Sequence, residues 1–251
     1  MKVSIITSVF NNEETIEETL NSVLSQDYND IEYIVIDGAS TDRTCEIVKK
    51  YLDHVDVFIS EPDKGIYDGL NKGIKVATGD IISFLHSDDI FYDKTTISEV
   101  VSAFQHYNTD SVYGDLVYID KKDSNKIVRY WKSGRFSKKK LKYGWMPPHP
   151  SLFVKKHIYE KFGIFDTSFK IAADYDVVLR FFGTANISTV YVEKVFVKMR
   201  TGGESNRDIK NLLKKTMEDY KAMKKNNIGG IYSLTLKNIS KIPQFLDKNV
   251  K

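Results

Sequence analysis

Apolar positions near the start of the chain come as short unbroken runs, separated by stretches of helical period. Val3 to Val9 is rich in β-branched residues and reads as a buried strand. Asn11 and Asn12 offer a helix N-cap, with Glu13 and Glu14 in the first turn, where carboxylates suit the helix dipole. Ile16, Leu20, Val23 and Leu24 then fall on one helical stripe. The alternation continues with a strand over Ile31 to Asp37, a helix over Thr41 to Tyr51 and a strand over Val55 to Ser60. A helix over Lys64 to Ala77 and a strand over Asp80 to Leu85 complete it, the last strand running into His86-Ser87-Asp88-Asp89. Continuous apolar strands alternating with helices predict a parallel sheet covered on both faces. Ligands in such sheets sit beyond the carboxyl ends of the strands, where Asp37 and His86 to Asp89 lie.

The second half is less regular. Ser111 to Ile119 and Ser151 to Val154 read as strands, and Ile187 to Val197 as one or two more. Lys121 to Lys126 is a polar turn and Lys132 to Lys142 a basic loop. Pro147, Pro148 and Pro150 hold the chain extended around His149. Ala172 to Phe182 reads as a helix, and two basic helices follow over Asp208 to Lys225 and Ile231 to Leu246. The fold class is α/β, with one doubly wound, mostly parallel sheet and helices at the C-terminus.

Charge divides the chain. Arg207 to Lys251 holds 11 Lys/Arg against 4 Asp/Glu, while the part before it holds 26 against 30. A basic tail can meet nucleic acid, anionic lipid or nothing. No reading motif or aromatic interleaving accompanies this charge, so nucleic acid is not an expected partner. Ile231, Leu234, Ile239, Ile242 and Phe245 can share one helix face, with Lys237, Lys241 and Lys248 elsewhere. Such a helix can lie on an anionic membrane or pack on the body of the protein. With 41% hydrophobic and 28% charged residues the composition is that of an ordinary globular chain. No apolar run approaches the ~20 residues of a membrane span. One cysteine, Cys45, excludes an internal disulfide. A cytoplasmic protein, at most held to the inner face of the cell membrane, is expected.

Several chemistries are excluded. No G-x-G-x-x-G follows the first strand, and there is no P-loop, no H-E-x-x-H and no G-x-S-x-G elbow. What remains is carboxylates at strand ends. Asp88 and Asp89 side by side need a cation or hydrogen-bond donors to neutralise them, and oxygen ligands there suit Mg²⁺ or Mn²⁺ bridging substrate phosphates. The alternative is a strand-end turn with one Asp capping the next helix. Asp37 to Asp42 can bind a ribose or base edge, or form a tight turn and cap. Asp63, Lys64 and Lys72 can face the same cleft, or be a cap and surface lysines. Asp174, opening a helix, suits either a structural carboxylate or a general base at a cleft edge.

Taken in order, these segments resemble the family 2 glycosyltransferases, inverting enzymes of the GT-A fold. VSIITSVFNNEETIEETLNSVLSQDYNDIEYIVIDGASTDRT is similar to that family's start, and SEPDKGIYDGLNKGI with ATGDIISFLHSDD resembles a branch of bacterial surface-polysaccharide assembly. PHPSLFVKK and AADYDVVLR extend the likeness, which covers roughly residues 3 to 205 as an ordered set. It implies a GT-A catalytic domain over 1–206, divided into a nucleotide-binding half (1–90) and an acceptor half (91–206), with 207–251 as a basic helical extension.

The resemblance also implies roles. Thr7, Ser8 and Asn11 line the nucleotide pocket, Asp37 contacts the base or ribose, and Asp63, Asn71 and Lys72 complete the nucleoside and phosphate side. Asp88 matches the metal position of the D-x-D motif, with Asp89 beside it, and Mn²⁺ or Mg²⁺ is the implied cofactor. His149 stands near the donor phosphates or acceptor, Asp174 matches the catalytic base, and Gly202, Gly203 and Ser205 match a loop near the closing site. The implied donor is a nucleotide-sugar, in first place a UDP-sugar, and the acceptor a saccharide or lipid-linked saccharide. The chain departs from the pattern at His86, where the first Asp of D-x-D stands, at Gly38, where the turn carries a second Asp, and at Ala173, where an acidic residue precedes the base. His86 and Gly38 also motivate the alternative of a nucleotide-sugar-binding protein without turnover. A nucleotidyltransferase is disfavoured by the missing Gly- and Lys/Arg-rich phosphate loop.

Overall fold

The structure, a computed structural model, describes residues 1–202 and 209–239. β1 (Val3–Val9), α1 (Ile16–Leu24), β2 (Ile31–Asp37), α2 (Thr44–Lys49), β3 (Val57–Ser60), α3 (Ile66–Val76) and β4 (Ile81–Phe84) alternate as the apolar pattern predicts. They are followed by β5 (Ile90–Phe91), α4 (Thr96–Tyr107), β6 (Ser111–Ile119), β7 (Ile127–Trp131) and α5 (Lys138–Leu141). The chain closes with β8 (Leu152–Lys155), α6 (Lys156–Phe162), α7 (Ala173–Val178), β9 (Thr189–Arg200), α8 (Ile209–Lys225) and α9 (Ile231–Ile239).

Among the described residues these strands form one sheet in the order β3-β2-β1-β4-β8-β6-β9-β5, with β7 on β6. β3, β2, β1 and β4 run parallel. β1 is the first strand and lies inside this set, so the winding reverses between β1 and β4, the position where doubly wound sheets open a crevice. Beyond β4 the pairing is mixed: β8 is antiparallel to both β4 and β6, while β9 runs parallel to β6. Alternate residues of the strands feed two cores. Ile6, Ile34, Ile36, Ile82 and Phe84 pack with Leu70, Ile74, Phe165 and Tyr175 on one face. Ile5, Tyr33, Val35 and Ile81 pack with Ile16, Leu20, Val100 and Phe104 on the other. Burial on both faces is why these strands read as unbroken apolar runs.

Some expectations are corrected. Asn11 and Asn12 do not cap α1, which begins at Ile16 after Thr15. Asn11 adopts φ 46 and spends its groups on the neighbouring loop: its N–H donates to Ser40 Oγ (2.8 Å), and its Oδ1 accepts from Thr41 N (2.8 Å). The basic stretch 132–142 contains α5, because Leu141 is fully buried and pins it. The helix expected over Ala172 to Phe182 is α7 continued by a π-helical segment, Leu179–Thr184.

The C-terminal helices dock on the body. Ala222 and Met223 of α8 are fully buried in the core that holds Tyr175 and Phe181. Lys237, expected on an outer face of α9, is turned inward: its Nζ lies 2.7 Å from Asp219 Oδ1 and over the Tyr175 ring. Leu234 packs on the same core. Gly203, Ser205, Lys241, Ile242, Phe245 and Lys248, which also entered the expectations, lie outside the described residues.

Candidate active site

β1 and β2 end level with one another, Val9 opposite Asp37. Asp37 is fully buried, and its Oδ2 accepts from Ser60 Oγ (2.6 Å), Ser40 N (3.0 Å) and Cys45 Sγ (3.1 Å). Burial alone would raise this carboxyl, but the donors outweigh it and hold the group below its ordinary range. Its other oxygen, Oδ1, is buried without a hydrogen-bond partner. A buried acceptor left open costs free energy unless something donates to it, so this atom is suited to a ligand N–H or O–H.

Asp63 sits beside Asp37. Its Oδ1 accepts from Gly65 N (2.8 Å). A Cβ on Gly38 would stand 2.7 Å from Asp63 Oδ2, and one on Gly69 would stand 2.3 Å from Ser8 Oγ. A side chain at position 38 would therefore require the Asp63 carboxylate to shift. Ser8, Asp63 and Asp37 thus gather at the ends of β1, β2 and β3, with Asn11 on the rim. Lys72 also sits at the rim, with its Nζ 2.8 Å from Glu61 Oε1 and donating to the Pro62 carbonyl at 2.9 Å.

Two residues expected in this pocket serve elsewhere. Thr7 is fully buried with its hydroxyl 3.2 Å from the Tyr33 hydroxyl, because its position in β1 points into the sheet's inner face. Asn71 is a clamp: its Nδ2 donates to the Phe165 carbonyl (2.9 Å), and its Oδ1 accepts from Phe165 N (3.0 Å). Both ends of its amide are thus engaged with the Phe165 backbone.

At the end of β4 the chain turns through His86, Ser87, Asp88 and Asp89. Asp88 is half-buried, whereas Asp89 is fully buried. Asp89 Oδ1 accepts from Arg200 N (3.3 Å), and Oδ2 has no partner. Burial, reinforced by the charge of Asp88, pushes its carboxyl well above the usual range. The two neighbours expected to share a cation are thus unequal: Asp88 faces the cleft and Asp89 lies beneath it. Burial holds the His86 imidazole below its ordinary value against the opposing charges of Asp88 and Asp174, and its Nδ1 is buried without a partner.

His149 approaches from the 3-10 turn His149–Ser151. Its ring stacks on Phe84 (5.1 Å between centroids) and lies 6.2 Å from His86. Burial and the neighbouring His86 push it down to about 3, so it is a neutral imidazole whose Nε2 is unpartnered.

Asp174 completes the cluster from the first turn of α7. Its Oδ1 accepts from Tyr175 N (2.8 Å) and lies 3.3 Å from the Tyr67 hydroxyl, which also donates to the Ile171 carbonyl (2.7 Å). Tyr67 stacks on Phe165 (5.5 Å), and Phe165 meets His149 edge-on (5.4 Å). Residues from β4, α3, the His149 turn and α7 therefore meet at one place. Tyr67 and Phe165 were not singled out from the sequence. Tyr67 stands in the GIYDGLNKG segment, so its place beside a strand-end cleft was the available signal, whereas nothing near Phe165 marks it.

Residues 4–163 match the family model described as "Glycosyl transferase family 2". A PGL/p-HBAD biosynthesis glycosyltransferase of Mycobacterium bovis is 27% identical over 208 residues, covering 81% of this chain and 78% of the relative. The structure of S. aureus TarS 1–349 with UDP-GlcNAc superimposes with a TM-score of 0.69 at 20% identity, over 90% of this chain and 65% of that one. The mannosyltransferase PcManGT from Pyrobaculum calidifontis, with GDP-Man and Mn²⁺, gives a TM-score of 0.64 at 16% identity, over 99% of this chain and 76% of that one. At these identities the two structures speak to the fold, which is GT-A.

Proposed function

The chain belongs to glycosyl transferase family 2, and on that premise we propose that it transfers a sugar from a nucleotide diphosphate-sugar, with inversion, to a hydroxyl of a saccharide or lipid-linked saccharide in bacterial surface-polysaccharide assembly. The observation that carries the reading is the cluster that joins Asp174, from the second half of the chain, to the His86–Asp88 turn at the end of β4: Tyr67 lies against Asp174 and stacks on Phe165, Phe165 meets His149, and His149 lies 6.2 Å from His86.

The nucleoside lies over the ends of β1, β2 and β3, with the open Oδ1 of Asp37 accepting from the base or ribose. A UDP-sugar is the proposed donor. The TarS neighbour was solved with UDP-GlcNAc, and the PcManGT neighbour with GDP-Man, so the fold admits either nucleotide.

Among the described residues no group of three or more His, Cys, Asp or Glu forms a metal cage. A cation that bridges a diphosphate needs none: Mg²⁺ characteristically takes one or two carboxylates and fills the rest of its shell with phosphate oxygens and water. Asp88, half-buried at the cleft and next to the unpartnered His86 Nδ1, fits that open kind of site. Mn²⁺ or Mg²⁺ held there supplies Lewis-acid stabilisation of the leaving diphosphate.

Asp174 accepts the proton of the acceptor hydroxyl. The acceptor oxygen attacks the anomeric carbon from the face opposite the diphosphate, and the bond from that carbon to the diphosphate oxygen breaks in the same displacement. Tyr67 orients Asp174 through its hydroxyl, and His149, neutral and unpartnered at Nε2, is placed to hydrogen-bond donor or acceptor. We further propose peripheral membrane contact through α8, where Leu212, Leu213 and Met217 are exposed among lysines. No described helix is long and apolar enough to cross a membrane.

Asp174→Asn tests the assignment. Loss of a positioned general base costs on the order of 10²- to 10⁴-fold in turnover. The expected result is that loss with donor affinity retained. Near-full transfer by the variant overturns the base assignment.

A further inference from the structure

We infer that Glu218, on the C-terminal helix α8, is a positioning residue that sets the aim of Asp174. The inference rests on the reading of Asp174 as the base. The segment Lys170–Ala172 leads into α7, and Asp174 lies in the first turn of that helix. The path of this segment therefore fixes where the Asp174 carboxylate points.

Backbone N–H groups at the start of a helix lack intrahelical partners and need acceptors from elsewhere. At α7 the N-cap residue Ala172 offers no side-chain hydrogen bond, and within the first turn Asp174 Oδ1 accepts from Tyr175 N. Glu218, from a distant part of the chain, accepts from the amides that lead into the helix, the N-cap Ala172 included. Its Oε2 accepts from Ile171 N (2.8 Å) and Ala172 N (3.0 Å), and both carboxylate oxygens lie 3.0 Å from Lys170 N. One anion thus gathers three consecutive amides, a geometry of charge-assisted hydrogen bonds. On the other side of the strap, the Ile171 carbonyl accepts from the Tyr67 hydroxyl that also lies against Asp174. The strap is gripped from both sides, and one grip is Glu218.

The arm that carries Glu218 is itself fixed. Asp219, the next residue, is paired with Lys237 Nζ at 2.7 Å, and both are buried. Asn226 Nδ2 donates to Asp176 Oδ1 (2.9 Å), and Lys225 Nζ lies 3.1 Å from Asp176 Oδ2 and 2.8 Å from Asp166 Oδ2. α8 is thereby held to α9 at Asp219 and to α7 at its C-terminal end. The hydrogen bonds of Glu218 go to the strap, so its effect on transfer runs through the residues the strap positions, Asp174 first.

The test compares wild type, Glu218→Ala, Glu218→Gln, Asp174→Asn and the Asp174→Asn/Glu218→Ala double variant as full chains. Turnover is read as UDP released from UDP-glucose, UDP-galactose and UDP-N-acetylglucosamine, binding as affinity for UDP, and strap order as hydrogen exchange of the amides of residues 170–172. Glu218→Ala is expected to exchange these amides faster and to lose on the order of 10- to 100-fold in turnover at unchanged UDP affinity, the scale of an ångström-sized misplacement. Glu218→Gln, which keeps one carbonyl acceptor, is expected to recover part of both. In the Asp174→Asn background Glu218→Ala is expected to cost nothing more, as for two residues acting as one unit. Unchanged exchange at 170–172, a fall in UDP affinity matching the fall in turnover, or a full second loss in the double variant would each overturn the role of Glu218. An active Asp174→Asn would instead overturn the base assignment on which it rests.

Discussion

Asp37 is held below the ordinary carboxylate range because Ser40, Ser60 and Cys45 donate to it, whereas burial, with Asp88 beside it and one backbone donor, pushes Asp89 well above that range. Residue type alone cannot separate the two, since both are aspartates at strand ends. The same contest decides Glu32 at the start of β2. Burial opposes its ionisation, but Ser4, Thr78 and Lys2 donate to it and bring it down to about 2 from an ordinary value of 4.5. A depressed carboxylate contributes stability that is complete above its unfolded pKa and is lost as pH falls through its folded pKa. Glu32→Gln is therefore expected to cost about 2 kcal/mol near neutral pH, with the difference from wild type shrinking as pH falls from 4.5 toward about 2. Denaturant unfolding at several pH values checks this, and a pH-independent difference would contradict the linkage. Of the site residues expected from the sequence, Asp37 and Asp63 lie together at the ends of β2 and β3, and His149 and Asp174 are linked through Phe165 and Tyr67 beside the turn that holds Asp88. Thr7 and Asn71 do not, because which way a strand residue points and what a helix residue clamps depend on partners such as Tyr33 and Phe165, remote in sequence.

The elements of the first half were legible because β1, β2 and β4 are buried on both faces and the helices show apolar stripes, so period separates them. α4, α6 and β7 were not read, and the basic stretch at 132–142 was taken for loop. There lysines outnumber the one anchoring residue, Leu141, and only tertiary burial makes α5 a helix. α8 presents a different face. Its inner side, Ala222 and Met223, is fully buried, while Leu212, Leu213 and Met217 are 53%, 61% and 73% exposed beside Lys214 and Lys221. Apolar side chains set among lysines on one helix suit an anionic lipid surface. Flotation of the full chain with vesicles of anionic phospholipid is expected to fall sharply for a Leu213→Glu/Met217→Glu variant and at raised salt. Equal flotation of the variant and wild type would remove the membrane contact.

At the scale of the whole molecule, the sheet order places the crevice and the second half brings the base to it. The winding reversal at β1 and β4 was implied by the alternation of elements, but the mixed strands beyond β4 were not, since antiparallel pairing with β8 depends on long-range register. The basic segment 207–251 was expected as an extension of a catalytic domain ending at residue 206. Its described helices share the core with α7, and Glu218 grips the strap that leads to Asp174, so we regard α8 and α9 as part of the catalytic unit. The central claim is that a nucleotide-sugar binds across the strand ends with help from a cation at Asp88. The most direct measurement is the thermal midpoint of wild type and Asp88→Ala across a panel of nucleotide-sugars, with and without Mn²⁺. A ligand that binds only the folded state must raise the midpoint, by about 2 to 4 °C per kcal/mol for a chain of this size. The account predicts a rise with one donor that needs Mn²⁺ and vanishes in Asp88→Ala. A rise of the same size in Asp88→Ala, or one indifferent to the cation, would contradict it.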